Sequence, residues 1–203
     1  MEPGLLIFKI TKSMKAFRMK WMVTFFVAAV GLNFSSCSDD DDLEQTNITS
    51  NADPEGTIVV NMNNDGSAVS IQMDKYTYTY RNWEDKVVSE TANPYVDLEI
   101  DKVNNFRVRR TYWGDVDIVS VGQVSGLGKV NSIPTAGWSD KTAVIPKCGY
   151  IIRHQQKLGE NYTPRKIVQY ARVYVVDYIE GVSGGIIGAV IKYQGDWKSE
   201  DIN

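Results

Sequence analysis

The 203-residue chain contains two cysteines and one histidine. That scarcity closes several routes to chemistry. Cys37 and Cys148 can form at most one bridge, and a cysteine-rich metal site is excluded. Nucleophilic catalysis of the serine or cysteine type would need His154 beside a nucleophile and an orienting acid. Cys148 lies too far from it along an extended strand, and Gly122-Gln123-Val124-Ser125-Gly126 lacks the spacing of a nucleophile elbow. His154, in Arg153-His154-Gln155-Gln156, reads as a surface loop residue just after a strand, and Cys148 as a small buried hydrophobe. Gly122, Gly126 and Gly128 do not make a dinucleotide fingerprint, no long helix follows them, and no Walker pattern occurs. No cofactor is expected.

The chain also lacks a basic surplus and a long apolar run. Its formal charge is −3, and Lys9, Lys12, Lys15, Arg18 and Lys20 all precede residue 21, so the remainder is more acidic than the whole. A nucleic-acid partner, which needs a basic face to neutralise phosphates, is therefore not expected. The main apolar run, Trp21–Leu32, would rise only about 18 Å as a helix. A bilayer core of about 30 Å needs more than that. The run reads instead as the core of a cleaved export signal, residues 1–36, with Met14-Lys15-Ala16-Phe17-Arg18-Met19-Lys20 as its positive end and Met14 as the expected true start.

Phe34-Ser35-Ser36-Cys37 then resembles the lipobox of bacterial lipoproteins, although Phe34 stands where Leu is usual. By that resemblance Cys37 is the lipid-attachment residue. Acyl chains such as palmitate would hold the protein in a membrane, each buried CH₂ contributing about 0.8 kcal/mol. Cys148 is then left alone; the alternative is a Cys37–Cys148 bridge. Ser38 and Asp39–Asp42 look like the acidic tether that marks surface-exported lipoproteins of the Bacteroidetes, or a self-repelling spacer, or both. Residues 37–55 are expected to be a disordered tether, because Leu43–Glu55 lacks periodic apolar residues. The expected location is the outer membrane, lipid-anchored and exposed at the cell surface.

From residue 56 to 203 the pattern is strands and turns. Thr57–Asn61 is a β-branched run, and Asn63-Asn64-Asp65-Gly66 predicts a hairpin that pairs it with Val69–Met73. Tyr76, Tyr78 and Tyr80 alternate with threonines and should share one face. Val96–Ile100 and Phe106–Arg109 alternate apolar with charged residues. Val116–Val130 predicts a short strand and a loop, Val144–Arg153 a strand interrupted at Pro146, and Lys157–Lys166 a polar connection. Ala171–Ile179 is the strongest strand signal, and Ile186–Tyr193 closes a terminal hairpin with it. No stretch sustains helical periodicity over three turns, and no internal repeat is visible. The expected fold is all-β: a single antiparallel β-sandwich or partly closed barrel of about seven to nine short strands.

Several stretches of the second half, Asp101–Phe106, Gly126-Leu127-Gly128 with Ile133-Pro134 and Gly137-Trp138, Gly149–Arg153, Tyr170–Ile179 and Gly184–Gly188, are similar to an uncharacterised lipoprotein family of gut Bacteroidetes, a domain of unknown function. The resemblance implies a surface lipoprotein and supplies no activity.

The residues themselves offer little chemistry. Asn61, Asn63, Asp65 and Gly66 match the opening of a calcium loop, but Gln72 stands where the bidentate acid belongs, so a turn is expected and no metal. Aromatic surface remains. Tyr76, Tyr78, Tyr80 and Trp113 are the candidate ligand-binding residues, because flat rings with polar edges suit sugars and protein interfaces. Arg107, Arg109 and Arg110 beside Tyr112-Trp113 could meet an acidic sugar or a partner's carboxylate. Two functions follow: a non-enzymatic surface module binding a glycan or an outer-membrane protein partner, and, as the alternative, a glycoside or other hydrolase using Asp115, Asp117 or Asp177.

Overall fold

β-Branched and aromatic runs become strands because such side chains pack on a pleated, half-buried surface. The structure, a computed structural model, describes residues 53–109 and 114–203, all within one compact unit spanning Ile48–Asn203. The export signal, Cys37 and the acidic run lie outside the described residues. The strands are β1 (Ile58–Asn63), β2 (Ala68–Gln72), β3 (Tyr76–Arg81), β4 (Val87–Ala92), β5 (Tyr95–Ile100), β6 (Asn105–Arg109), β7 (Asp115–Gln123), β8 (Lys141–Ala143), β9 (Cys148–Lys157), β10 (Tyr162–Thr163), β11 (Lys166–Glu180) and β12 (Ile186–Ile202). A single 3₁₀ turn at Leu127–Lys129 is the one helical element among the described residues.

All pairing is antiparallel. One sheet runs β1-β12-β11-β9-β7, a second β2-β5-β6-β8, and a small third sheet β10-β3-β4. The all-β expectation holds, and the sheets do not close into a barrel. The described residues form twelve strands where turn spacing predicts about seven to nine. The surplus comes from β4, whose sequence does not alternate, and from the short β8 and β10, which exist only because a neighbour pairs with them.

The predicted β1–β2 hairpin does not form. The turn is there, with Gly66 at φ 90° and the Ser67 amide donating to Asp65 Oδ1 at 2.9 Å. Beyond it the two strands part: β1 pairs with β12 and β2 with β5. The turn is thus a corner between the two larger sheets.

Those two sheets enclose the main core. Ile152, Val173 and Ile191 of the five-stranded sheet meet Ile71, Leu98 and Phe106 of the four-stranded one, all with no exposed surface. Tyr150 is buried among them, edge-on to Phe106 with ring centroids 5.0 Å apart. Its hydroxyl accepts from the Ile145 amide and donates to the Ala143 carbonyl, both at 2.8 Å. Burial pushes this phenol up to about 12. The other face of the five-stranded sheet carries a smaller cluster, Val119, Val130, Ile151, Val168 and Tyr170, with Trp138 and Trp197 packed against it. Arg153 lies over the Trp138 ring at 4.1 Å and Arg172 over Trp197 at 5.3 Å, so cations complete this face. β11 is therefore buried on both sides, which is why it reads as a continuous apolar run. Cys148 is buried, as expected of a small hydrophobe.

Candidate functional site

The tyrosine strand β3 lies in the small sheet, and that sheet stands over the end of β9. Tyr76 reaches down and donates its hydroxyl to Gln156 Oε1. The Gln169 amide, from β11, donates to the Asp74 carbonyl just before β3. These bonds fix the small sheet beside the sandwich, and a cleft of about 690 Å³ opens where the three sheets meet. The small sheet supplies Tyr76, Tyr78 and Tyr162, the four-stranded sheet Tyr95, Asp97 and Arg109, and the five-stranded sheet His154, Gln156 and Lys157.

The predicted tyrosines do share a face. Centroids of Tyr76 and Tyr78 are 6.0 Å apart and those of Tyr78 and Tyr80 6.2 Å. Tyr162 of β10 packs against Tyr78 and Tyr80, at 5.8 and 5.4 Å. The hydroxyls of Tyr78 and Tyr80 both donate to Glu90 on the facing strand β4, at 2.6 and 2.8 Å, which draws both rings toward that strand. The Tyr78 bond, then the Tyr80 bond, holds the Glu90 carboxyl below its ordinary value. Hydrogen bonding to Glu90, then burial and the Glu90 charge, pushes Tyr78 up to about 12. Tyr76 is buried, Tyr78 and Tyr80 are half-buried, and Tyr80 continues the row beyond the cleft lining. Trp113, with Arg110 and Tyr112, lies outside the described residues.

His154 is the largest correction to the sequence reading. It is not a surface loop residue: it sits within β9 and is 1% exposed. Its Nδ1 is 3.0 Å from Gln169 Oε1. Because the Gln169 NH₂ donates to the Asp74 carbonyl, Oε1 is the acceptor and Nδ1 carries the proton. Burial pushes the imidazole below its ordinary value, against the raising effect of the Gln169 bond. Gly114 passes so close that a Cβ there would come within 2.5 Å of Nε2. The signal was present in the sequence: Tyr150, Ile152, His154 and Gln156 fall on one face by simple alternation.

The charged residues are largely committed. Arg109 Nε donates to Glu99 Oε2 at 3.0 Å, its Nη2 joins the same oxygen, and Arg107 Nη1 lies 3.8 Å from Glu99 Oε1. Glu99 is 6% exposed, so this pairing satisfies a buried carboxylate. Asp97 accepts from Ser70 Oγ at 2.6 Å. None of the three carboxylates read as candidate hydrolytic groups lines the cleft. Asp117 is paired with Arg153 at 2.9 Å, Asp177 accepts from the Tyr178 amide, and Asp115 opens β7. Among the cleft-lining residues, Asp97 is the one carboxylate.

A family model described as a domain of unknown function, DUF5036, matches residues 90–200. No curated protein and no solved structure matches the chain. The matched region runs from within β4 into β12, and so contains Asp97, Arg109, His154, Gln156 and Tyr162, while β1 to β3 with the tyrosine row precede it. As the match spans more than half of the sequence, the chain belongs to the DUF5036 family.

Proposed function

We propose that this protein is an exported lipoprotein, anchored in the outer membrane through lipid on Cys37 and displayed at the cell surface, whose β-rich unit binds a glycan without transforming it. The anchor rests on the apolar run, the small residues before Cys37 and the acidic run after it, in the manner of Bacteroidetes surface lipoproteins. The binding role rests on one observation: a cleft of about 690 Å³ in which Tyr76, Tyr78, Tyr95 and Tyr162 are interleaved with Asp97, Gln156 and Asn93. Aromatic rings present apolar surface to the C–H faces of a sugar, and carboxylate and amide side chains pair with its hydroxyls. The size falls within the range of small-ligand sites.

The test has two arms. Cells fed a labelled palmitate should label the wild-type protein and not Cys37→Ala. A glycan panel read by tryptophan fluorescence should give saturable binding that Tyr78→Ala removes. If no polysaccharide binds and a pull-down from intact cells returns an outer-membrane protein instead, the glycan reading is wrong and the cleft serves a protein partner.

A further inference from the structure

We infer that the cleft is one end of a longer strip along the β3–β4 hairpin, and that its ligand is an uncharged oligosaccharide chain running from the cleft over Tyr78 and Tyr80 to Trp83 rather than a single sugar. This rests on the glycan reading above and specifies the ligand.

Three observations carry it. The first is spacing. Tyr76, Tyr78 and Tyr80 follow one another at 6.0 and 6.2 Å, steps close to the length that one pyranose unit adds to a chain. At about 3.3 Å per residue the strand carries them over about 13 Å. Only the first two line the cleft, so the row runs out of it toward the hairpin tip.

The second is the tip. Trp83 is 91% exposed, whereas Trp138 and Trp197 pack against the sheet. Its exposure is held by a built turn. Asn82 Oδ1 accepts from the Glu84 and Lys86 amides, both at 3.0 Å, the Asn82 amide donates to the Lys86 carbonyl at 2.9 Å, and Arg81 Nη1 donates to the Asp85 carbonyl at 2.9 Å. Asp85 takes the positive φ of 59° that the turn requires. The backbone that carries this large aromatic ring is thus set before a ligand arrives.

The third is charge. Buried Glu99 compensates Arg109, and Asp97 and Lys157 oppose one another in sign across the lining. Arg81 with Asp85, and Lys86 with Glu84, pair at the tip. Glu90, which accepts from the Tyr78 and Tyr80 hydroxyls, adds a negative charge beside the row, so the strip offers no positive surplus to a uronate or a sulfated sugar. The aliphatic lining of the cleft is confined to Ala92, Pro94 and Leu158, and Val88 opposite Tyr80 adds one more along the hairpin, too little to seat the apolar anchors of a peptide.

The experiment titrates the full chain with cello- and malto-oligosaccharide ladders and an acidic oligogalacturonate ladder, each from mono- to hexasaccharide, by calorimetry. Affinity is expected to climb with length and to level off once the chain reaches from the cleft past Tyr78 and Tyr80 to Trp83. Trp83→Ala should lower tetrasaccharide affinity about tenfold, equivalent to about 1.4 kcal/mol, and leave disaccharide affinity unchanged. Because Trp83 is exposed, the variant folds, and an unshifted melting curve verifies that. Binding of mono- or disaccharides with no gain from longer chains, or a gain untouched by both Trp83→Ala and Tyr80→Ala, overturns the strip while leaving the cleft a sugar site. Preference for acidic over neutral chains overturns the uncharged ligand. Failure of every ladder while the glycan panel binds overturns this inference alone; failure of the ladders and the panel together removes the glycan reading with it.

Discussion

The five-stranded sheet and the small tyrosine sheet use β-structure in opposite ways. In the first, β9 and β11 are buried on both faces and lined by Ile151, Ile152, Ala171, Val173 and Val175. In the second, β4 has no fully buried residue, and the large side chains of β3 are tyrosines tied down through their hydroxyls. One sheet is held by apolar burial, which is non-directional and large; the other by ring contacts and charge-assisted hydrogen bonds, which are directional and individually modest. The contrast teaches where to look for function. A sheet that the core does not need for its own burial is free to carry rings at its surface.

The contrast can be broken most forcefully at Tyr150. Tyr150→Ala empties a fully buried site and strands two backbone groups, and chemical denaturation should show a loss of about 3–5 kcal/mol. Tyr78→Ala, on the small sheet, should cost no more than about 1.5 kcal/mol, the scale of one aromatic pair. Equal losses at the two positions would show that the small sheet is as structural as the large one. Next comes Gly149, where a Cβ would lie 2.5 Å from Val130 and 2.8 Å from Val121. Gly149→Ala should destabilise by about 1–3 kcal/mol through overpacking of the outer cluster.

A smaller effect is a pH response from the single histidine. Burial lowers the His154 value from 6.5, so the folded chain binds fewer protons than the unfolded chain as pH falls below that point. Stability from this group is full above pH 6.5 and declines with falling pH down to the lowered folded value. Melting temperature should therefore drop between pH 6.5 and 5, and His154→Gln should flatten that segment; a wild-type curve already flat there would sink the assignment. The smallest effect belongs to Glu90. Its carboxyl is lowered from 4.5 by the two tyrosine hydroxyls, so its contribution is present above pH 4.5 and fades as pH falls through the folded value. Glu90→Gln should leave the melting temperature at pH 7 nearly unchanged while altering tyrosine fluorescence, which sharpens the distinction between a sheet needed for stability and one arranged for contact.

How far this was legible in the sequence depends on range. Alternation found β3, β5 and β6, and the apolar run found β11, because those signals are written in the strand itself. Tyr76 and Tyr78 were named for the same reason. Asp65-Gly66 has the chemistry of a hairpin turn, but which strand each flank joins depends on β12 and β5, far along the chain. His154 was misplaced because Arg153, Gln155 and Gln156 around it look like loop; only the register with β7 and β11 shows that its own face is interior. The cleft itself was not legible. It needs β3, β5, β6, β9 and β10 at once, and no local pattern reports a junction of three sheets.

The pairing of β1 with β12 sets a condition on how the chain comes to be folded. The first strand of the described residues waits for the last before its sheet has that edge, and Lys192 and Gln194 of β12 also hold Asp53 and Glu55 ahead of β1. Such distant closure makes for slow folding and long-lived unpaired strands. β1 therefore stays an unpaired edge until β12 has been made, while the sheets β2-β5-β6-β8 and β10-β3-β4 need no part of β12 to pair.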